Sequence, residues 1–265
     1  MAFRRASLSW SRYAGARMPS SPTRVALITG TSRGIGAALA AAFAADGYAV
    51  VGCGRSDAPD VHLDGVEYRR CDVSDPTAIS DLVAGTLAAH GRLDVLVNNA
   101  AVEIEGTVEE TTVEQWDEVL SVNVRAPALL AAAAIPHMRA AGGGVILNIA
   151  SVDATWAEPR LPAYCATKGA LLALTRAMAI DHGADNIRCL SICPGYVRTE
   201  MLEQFFDSQP DPEAARAQGI AMHPLGRLAE PSDIADLAVF LAGDRATYLT
   251  GHAYVADGGL TAGHL

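Results

Sequence analysis

The sequence predicts an α/β fold, a doubly wound parallel sheet of about seven strands flanked by helices. Three observations predict it. Short runs such as "RVALITG" (24–30) and "GVILNIAS" (144–151) are apolar at successive positions, as in strands covered on both faces. These runs alternate with alanine-rich helical stretches, the pattern of strands joined by crossover helices. A glycine-rich turn, "TGTSRGIG" (29–36), stands between the first strand and the first helix.

The elements follow in order. After strand 24–30 comes a helix over 36–47, closed by Gly47. Strands follow at 49–54 and 66–73, a helix at 76–91 and a strand at 93–100. Residues 112–142 read as one long helix, with Pro127 and Pro136 expected to bend or break it. After the strand at 144–151 come a helix at 162–183, a strand at 187–195, a helix at 231–243 and a last strand at 253–259. Residues 196–230, rich in charge and proline, read as one long irregular loop of the kind that forms lids and binding loops. Between 25 and 265 no repeat or linker divides the chain, so 24–265 reads as one catalytic domain.

Residues 1–23 form an Arg- and Ser-rich, acid-free extension, read as a disordered tail or an early start with Met18 as the true beginning; a transit peptide is the alternative. The net charge of −10 argues against nucleic acid as a partner. No run of eighteen apolar residues stands out, so no membrane span is expected. Five cysteines with no CxxC pair favour a reducing, cytoplasmic setting over disulfides, and no metal site is expected.

The glycine turn holds Gly30, Gly34 and Gly36, which permit a tight turn and close backbone approach. The helix behind it opens with free N–H groups at a positive dipole end, where a pyrophosphate binds. The second strand ends Cys53-Gly54-Arg55-Ser56, without the acid that would hold a ribose 2′-hydroxyl. Arg55 and Arg33 are placed to face a 2′-phosphate instead, so NADP(H) is preferred and NAD(H) remains an option.

"YCATK" (164–168) contains the only lysine; the other nineteen basic residues are arginine. Tyr164 and Lys168 are four apart and share a helix face. An ammonium ~4–5 Å from a phenolate, at an effective dielectric of ~20, offers roughly 3–4 kcal/mol of attraction, or roughly 2–3 pKa units before burial offsets part of it. Such a tyrosine exchanges a proton with a substrate hydroxyl or carbonyl near neutral pH. Lysine, a compact charge with three rotatable donors, suits this place better than the planar fork of arginine.

With "TGTSRGIG", Asp72 in "CDV", "NNAA" (98–101), Asn123 in "SVNV", Ser151 in "NIASV", "YCATK" and "PGYVRT" (194–199) in this order, the chain resembles the short-chain dehydrogenase/reductase superfamily over about 24–260. Ala101 departs from the usual glycine of the third motif. The resemblance implies a Rossmann fold and assigns roles. Tyr164 is the general acid/base, and Lys168 binds the nicotinamide ribose and lowers the tyrosine pKa. Ser151 donates to the substrate oxygen, and Asn123 holds a relay water. For the cofactor it implies Gly30, Ser32, Arg33, Gly34, Ile35 and Gly36 at the turn, with Arg55 beyond the second strand. Asp72 and Val73 lie by the adenine, and Asn98 and Ala100 on the adenosine ribose side. Tyr164 and Lys168 lie at the nicotinamide end with Pro194, Gly195, Val197 and Thr199. It also implies a homo-oligomer, a tetramer or dimer, with helices 112–142 and 162–183 at one interface.

For the substrate, Glu103 and Asp153 are positioned to bond hydroxyls, and Trp156 and Tyr196 to stack on a ring. The expected activity is hydride transfer between NAD(P)(H) and a polar secondary alcohol or ketone. A 3-oxoacyl-carrier-protein reductase, with Arg139 and Arg176 in a docking patch, and a non-catalytic binding protein of the same fold are the alternatives.

Overall fold

The computed structural model describes residues 23–263; the expected N-terminal extension lies almost wholly outside them. Seven strands, β1 (Val25–Thr29), β2 (Ala49–Gly54), β3 (Val66–Arg70), β4 (Val95–Asn98), β5 (Gly144–Ile149), β6 (Ile187–Pro194) and β7 (Ala253–Ala256), form one sheet in the order β3-β2-β1-β4-β5-β6-β7. Every pairing is parallel. The order reverses between β1 and β4, the switch point at which such sheets bind ligands beyond their carboxyl ends.

Period-two alternation of apolar residues divides the core. Val25 and Leu27 of β1 pack with Leu82, Val83, Leu130 and Met178 on one face. Ala26 and Ile28 pack with Leu39, Phe43, Ile234 and Leu241 on the other. The helices behind these residues are α1 (Gly34–Ala45), α2 (Pro76–His90), α4 (Ala126–Ala140), α5 (Pro162–His182) and α8 (Pro231–Ala242). Small residues let them lie close: a Cβ on Gly36 would sit 1.9 Å from the Gly30 carbonyl oxygen.

Three expectations need correction. The long helix is not broken at its prolines. It runs as α3 (Val113–Leu120) into α4 through a π turn at Ser121–Arg125, where the Ala126 N–H reaches back to the Ser121 carbonyl. Pro127 falls in the first turn beyond, and Pro136 is carried inside α4. The continuous Val113–Ala140 helix is long and apolar enough to cross a membrane by length and composition, but half of its most apolar window is buried in the fold, and core packing accounts for that character. Residues 196–230 are not irregular: α6 (Glu200–Asp207) and α7 (Pro212–Ala221) occupy them, capped by Thr199 and Asp211. Four strands stop two or three residues early, β3 at Arg70, β4 at Asn98, β5 at Ile149 and β7 at Ala256.

Candidate active site

A cleft of about 790 Å³ opens along the carboxyl ends of the strands, from the glycine turn to Tyr164. Its size and place are those of a cofactor and substrate site. Of the residues expected at the cofactor, Gly30, Ser32, Arg33, Gly34, Ile35, Gly36, Arg55, Asp72, Val73, Ala100, Pro194, Gly195, Val197 and Thr199 line it, together with Tyr164 and Lys168.

The turn is shaped for backbone recognition. Gly30 and Gly34 adopt φ of +70° and +57°, a conformation a side chain would strain. Thr29 fastens the turn to the next strand: its hydroxyl oxygen accepts from the backbone N–H groups of Asn99 and Ala100, each at 3.0 Å. The Asn99 side chain donates to the carbonyls of Thr29 and Gly30. The bare turn and the open N-terminus of α1 fit a dinucleotide pyrophosphate.

Asn98 does not reach the cleft. It is buried at the end of β4, opposite Asn148 in the register, and donates to the Asn148 side chain at 2.8 Å. Asn148 continues to Thr175, and Thr175 to Ser191, a polar chain through the core. The neighbouring Asn99, just past the end of β4, lines the cleft instead. Arg33 also departs from expectation: its guanidinium is engaged by Glu200 at 2.6 Å and lies near Asp60. Arg55 forms no salt bridge among the described residues. The Asp72 carboxylate accepts from the Ser74 N–H, which holds its pKa below the usual range.

At the other end, α5 presents Tyr164 and Lys168 one turn apart, with the ammonium 5.2 Å from the ring centroid. Lys168 is 2% exposed and donates to the Ile149 carbonyl at 2.9 Å. Burial draws its pKa down to about 8, against the pull of Glu103. Tyr164 is the sharpest departure. Burial first, then the charges of Glu103 and Asp153, push the phenol pKa up rather than down, with the Ser151 hydroxyl acting the other way. Lys168 is paired to a carbonyl and surrounded by carboxylates, so its charge does not dominate.

Ser151 donates to the Asp153 carboxylate at 2.9 Å and accepts from the Asp153 N–H. It caps the short turn after β5 while facing the cleft. Asn123, in the π turn, is buried and outside the cleft lining. Its amide takes the Val102 N–H and donates to the Val102 carbonyl and the Thr167 hydroxyl. It therefore ties the loop after β4 to α5.

Of the expected substrate residues, Glu103, Asp153 and Tyr196 line the cleft and Trp156 does not. The Tyr196 hydroxyl donates to Glu158 at 2.7 Å. Burial and the neighbouring Asp153 raise Glu103 to about 7. Burial raises Asp153 to about 6, opposed by its bond from Ser151. Met201, Leu202 and Phe205 of α6 also line the cleft. Sequence reasoning missed them, although "TEMLEQFF" carries a cap and an apolar stripe.

A family profile described as enoyl-(acyl carrier protein) reductase matches residues 30–261. The chain belongs to the short-chain dehydrogenase/reductase superfamily. It is therefore an oxidoreductase of a family that uses a nicotinamide dinucleotide. It is 39% identical to 2-(R)-hydroxypropyl-CoM dehydrogenase of Xanthobacter autotrophicus, over 91% of this chain and 99% of that one. It is 36% identical to L-fucose dehydrogenase of Bos taurus, over 96% and 92%. Among solved structures, the 3-ketoacyl-(acyl-carrier-protein) reductase of Brucella melitensis complexed with NADH superposes with a TM-score of 0.83. That match has 33% identity and covers 90% of this chain and 98% of that one.

Proposed function

We propose that this enzyme interconverts a secondary alcohol and a ketone on a polar small molecule, with NAD(P)(H) as cofactor and Tyr164 as the proton-transfer residue. The observation that carries this reading is the Tyr164–Lys168 pair in the cleft that also holds the glycine turn. The bound nicotinamide supplies or accepts the hydride; the protein contributes position and field.

In the reducing direction the raised Tyr164 pKa keeps the phenol protonated, ready to donate to the oxygen that gains charge. In the oxidising direction the phenol must lose its proton, and the Lys168 ammonium is the positive charge beside it. Ser151 is the second donor to the substrate oxygen. Its proton is directed at Asp153, so a protonated Asp153, which reverses that bond, frees it for the substrate. Asn123 is a positioning residue acting through Val102 and Thr167.

NADP(H) is the preferred cofactor in this reading, through Arg55, with Asp60 and the engaged Arg33 as opposing features. Five free cysteines among the described residues support a cytoplasmic setting. Exposed Val113, Leu120 and Ile180 on α3 and α5 support self-association as a tetramer or dimer through those helices. The second reading, a 3-oxoacyl-carrier-protein reductase, is favoured by the likeness to the Brucella protein. Arg139 is already paired with Asp185, which weakens the docking patch that it needs.

The test is a fluorescence titration with NADPH and NADH, followed by a panel of carbonyls and polyols with the preferred cofactor. The reading expects saturable binding and turnover of free polar ketones or alcohols. Turnover of a carrier-linked substrate alone supports the second reading, and binding without turnover of any substrate contradicts both.

A further inference from the structure

Four carboxylates reach the catalytic end of the cleft from three separate segments. Glu103 and Glu105 come from the loop after β4, Asp153 from the turn after β5 and Glu158 from the stretch before α5. Their partners are incomplete. Glu158 accepts from Tyr196, and Asp153 accepts from Ser151 with one oxygen while the other, Oδ1, is buried without a partner. Glu103 accepts no hydrogen bond and forms no salt bridge among the described residues. The cations nearby are engaged elsewhere: Lys168 donates to Ile149, and Arg160 pairs with Glu110. Beside the reacting tyrosine the cleft wall is therefore rich in acceptors and short of donors.

That wall selects by chemistry. A cleft carboxyl without a protein donor, such as Glu103, is satisfied by a ligand donor and left unsatisfied by an apolar ligand. A substrate carboxylate or phosphate would meet like charges. Asp153 accepts from Ser151, the group placed at the substrate oxygen, and both line the cleft, so its carboxyl stands beside the reacting end of a bound substrate. A substrate ammonium would meet the Lys168 charge, which already acts on Glu103 and Asp153, as a like charge. A hydroxyl both gives and accepts, which suits carboxyls that titrate at about 7 and about 6.

We propose that the substrate is an uncharged vicinal diol or hydroxyketone, whose second hydroxyl is held by Glu103 and Asp153 next to the carbon that reacts. This rests on the dehydrogenase reading and names its substrate class.

The test measures kcat/KM for a matched set, 2,3-butanediol, 2-butanol, 3-hydroxybutanoate and 3-amino-2-butanol, at saturating preferred cofactor. The diol is expected to exceed 2-butanol by about 10²-fold or more, with 3-hydroxybutanoate lowest. Glu103→Gln is expected to lower the diol-to-monoalcohol ratio by about tenfold, mainly through KM. Asp153→Asn is expected to lower it through kcat as well, because it also alters Ser151. Circular dichroism melts establish that each variant is folded, and either folded variant suffices. The proposal is overturned if 2-butanol comes within about threefold of the diol, if the hydroxy acid or the amino alcohol is the best substrate, or if a folded variant keeps the wild-type ratio. Turnover of 2-butanol at the diol's rate sinks this inference alone. No turnover of any alcohol or ketone, with cofactor binding intact, sinks the dehydrogenase reading and this inference with it.

Discussion

The two ends of the cleft are built from different materials. At the glycine turn the surface is backbone: positive-φ glycines, the start of α1 and carbonyls fixed by Asn99. At the tyrosine end it is side chains, a buried ammonium among carboxylates with raised pKa values. A backbone site has its shape dictated by which residues are glycine, so a short motif reveals it. A side-chain site has its electrostatics set by burial, which no local spacing reveals. The first end depends on shape and tolerates a change of pH; the second is a titrating assembly.

Substitutions sharpen this contrast. The largest effect is expected at the backbone end. Gly36→Val places a side chain against the Gly30 carbonyl, where even a Cβ lies at 1.9 Å. It is expected to abolish cofactor binding in the fluorescence titration; retained affinity would mean that the turn is not the pyrophosphate cradle. Asn123→Ala comes next. It strips the half-buried Val102 N–H and carbonyl of their partners, at a cost of ~1–3 kcal/mol by denaturant melt, and loosens the loop that carries Glu103. A purely structural Asn123 would leave KM unmoved in the folded variant; a positioning role raises KM.

Glu103→Gln tests the titrating end through stability. The folded pKa of about 7 stands above the ordinary 4.5, so the group's stabilising contribution is full below about 4.5 and is lost as pH rises through about 7. The variant carries no such loss. Its melting temperature relative to wild type is expected to rise by about 3–8 °C between pH 5 and pH 8. A constant difference across that window would show that Glu103 is not held in a raised-pKa site. The smallest effect is at Arg55. Arg55→Asp is expected to weaken NADPH binding about tenfold relative to NADH, and an unchanged ratio would end the preference for the phosphorylated cofactor.

The sequence made the sheet legible because strands covered on both faces carry no polar alternation, and "GVILNI" has no other stable home. Tyr164 and Lys168 were legible because four residues is one helical turn. Other features were not. Helix α6 over the cleft and α7 packed against it carry charged, half-exposed faces, so they read as loop. Which of two adjacent asparagines faces the cleft depends on the parity of β4, fixed only by its pairing with β5. The direction of the Tyr164 shift depends on how deeply α5 is buried and on carboxylates from 103 and 153, both tertiary facts. A local estimate from one lysine had the opposite sign.

The most direct test of the central claim, that the Tyr164 hydroxyl carries the reacting proton, is the turnover of Tyr164→Phe at saturating cofactor on the best substrate of the panel. The account predicts a kcat lower by about 10²–10⁴-fold, with cofactor affinity and melting temperature close to wild type. A folded, cofactor-binding Tyr164→Phe enzyme with wild-type kcat would contradict it.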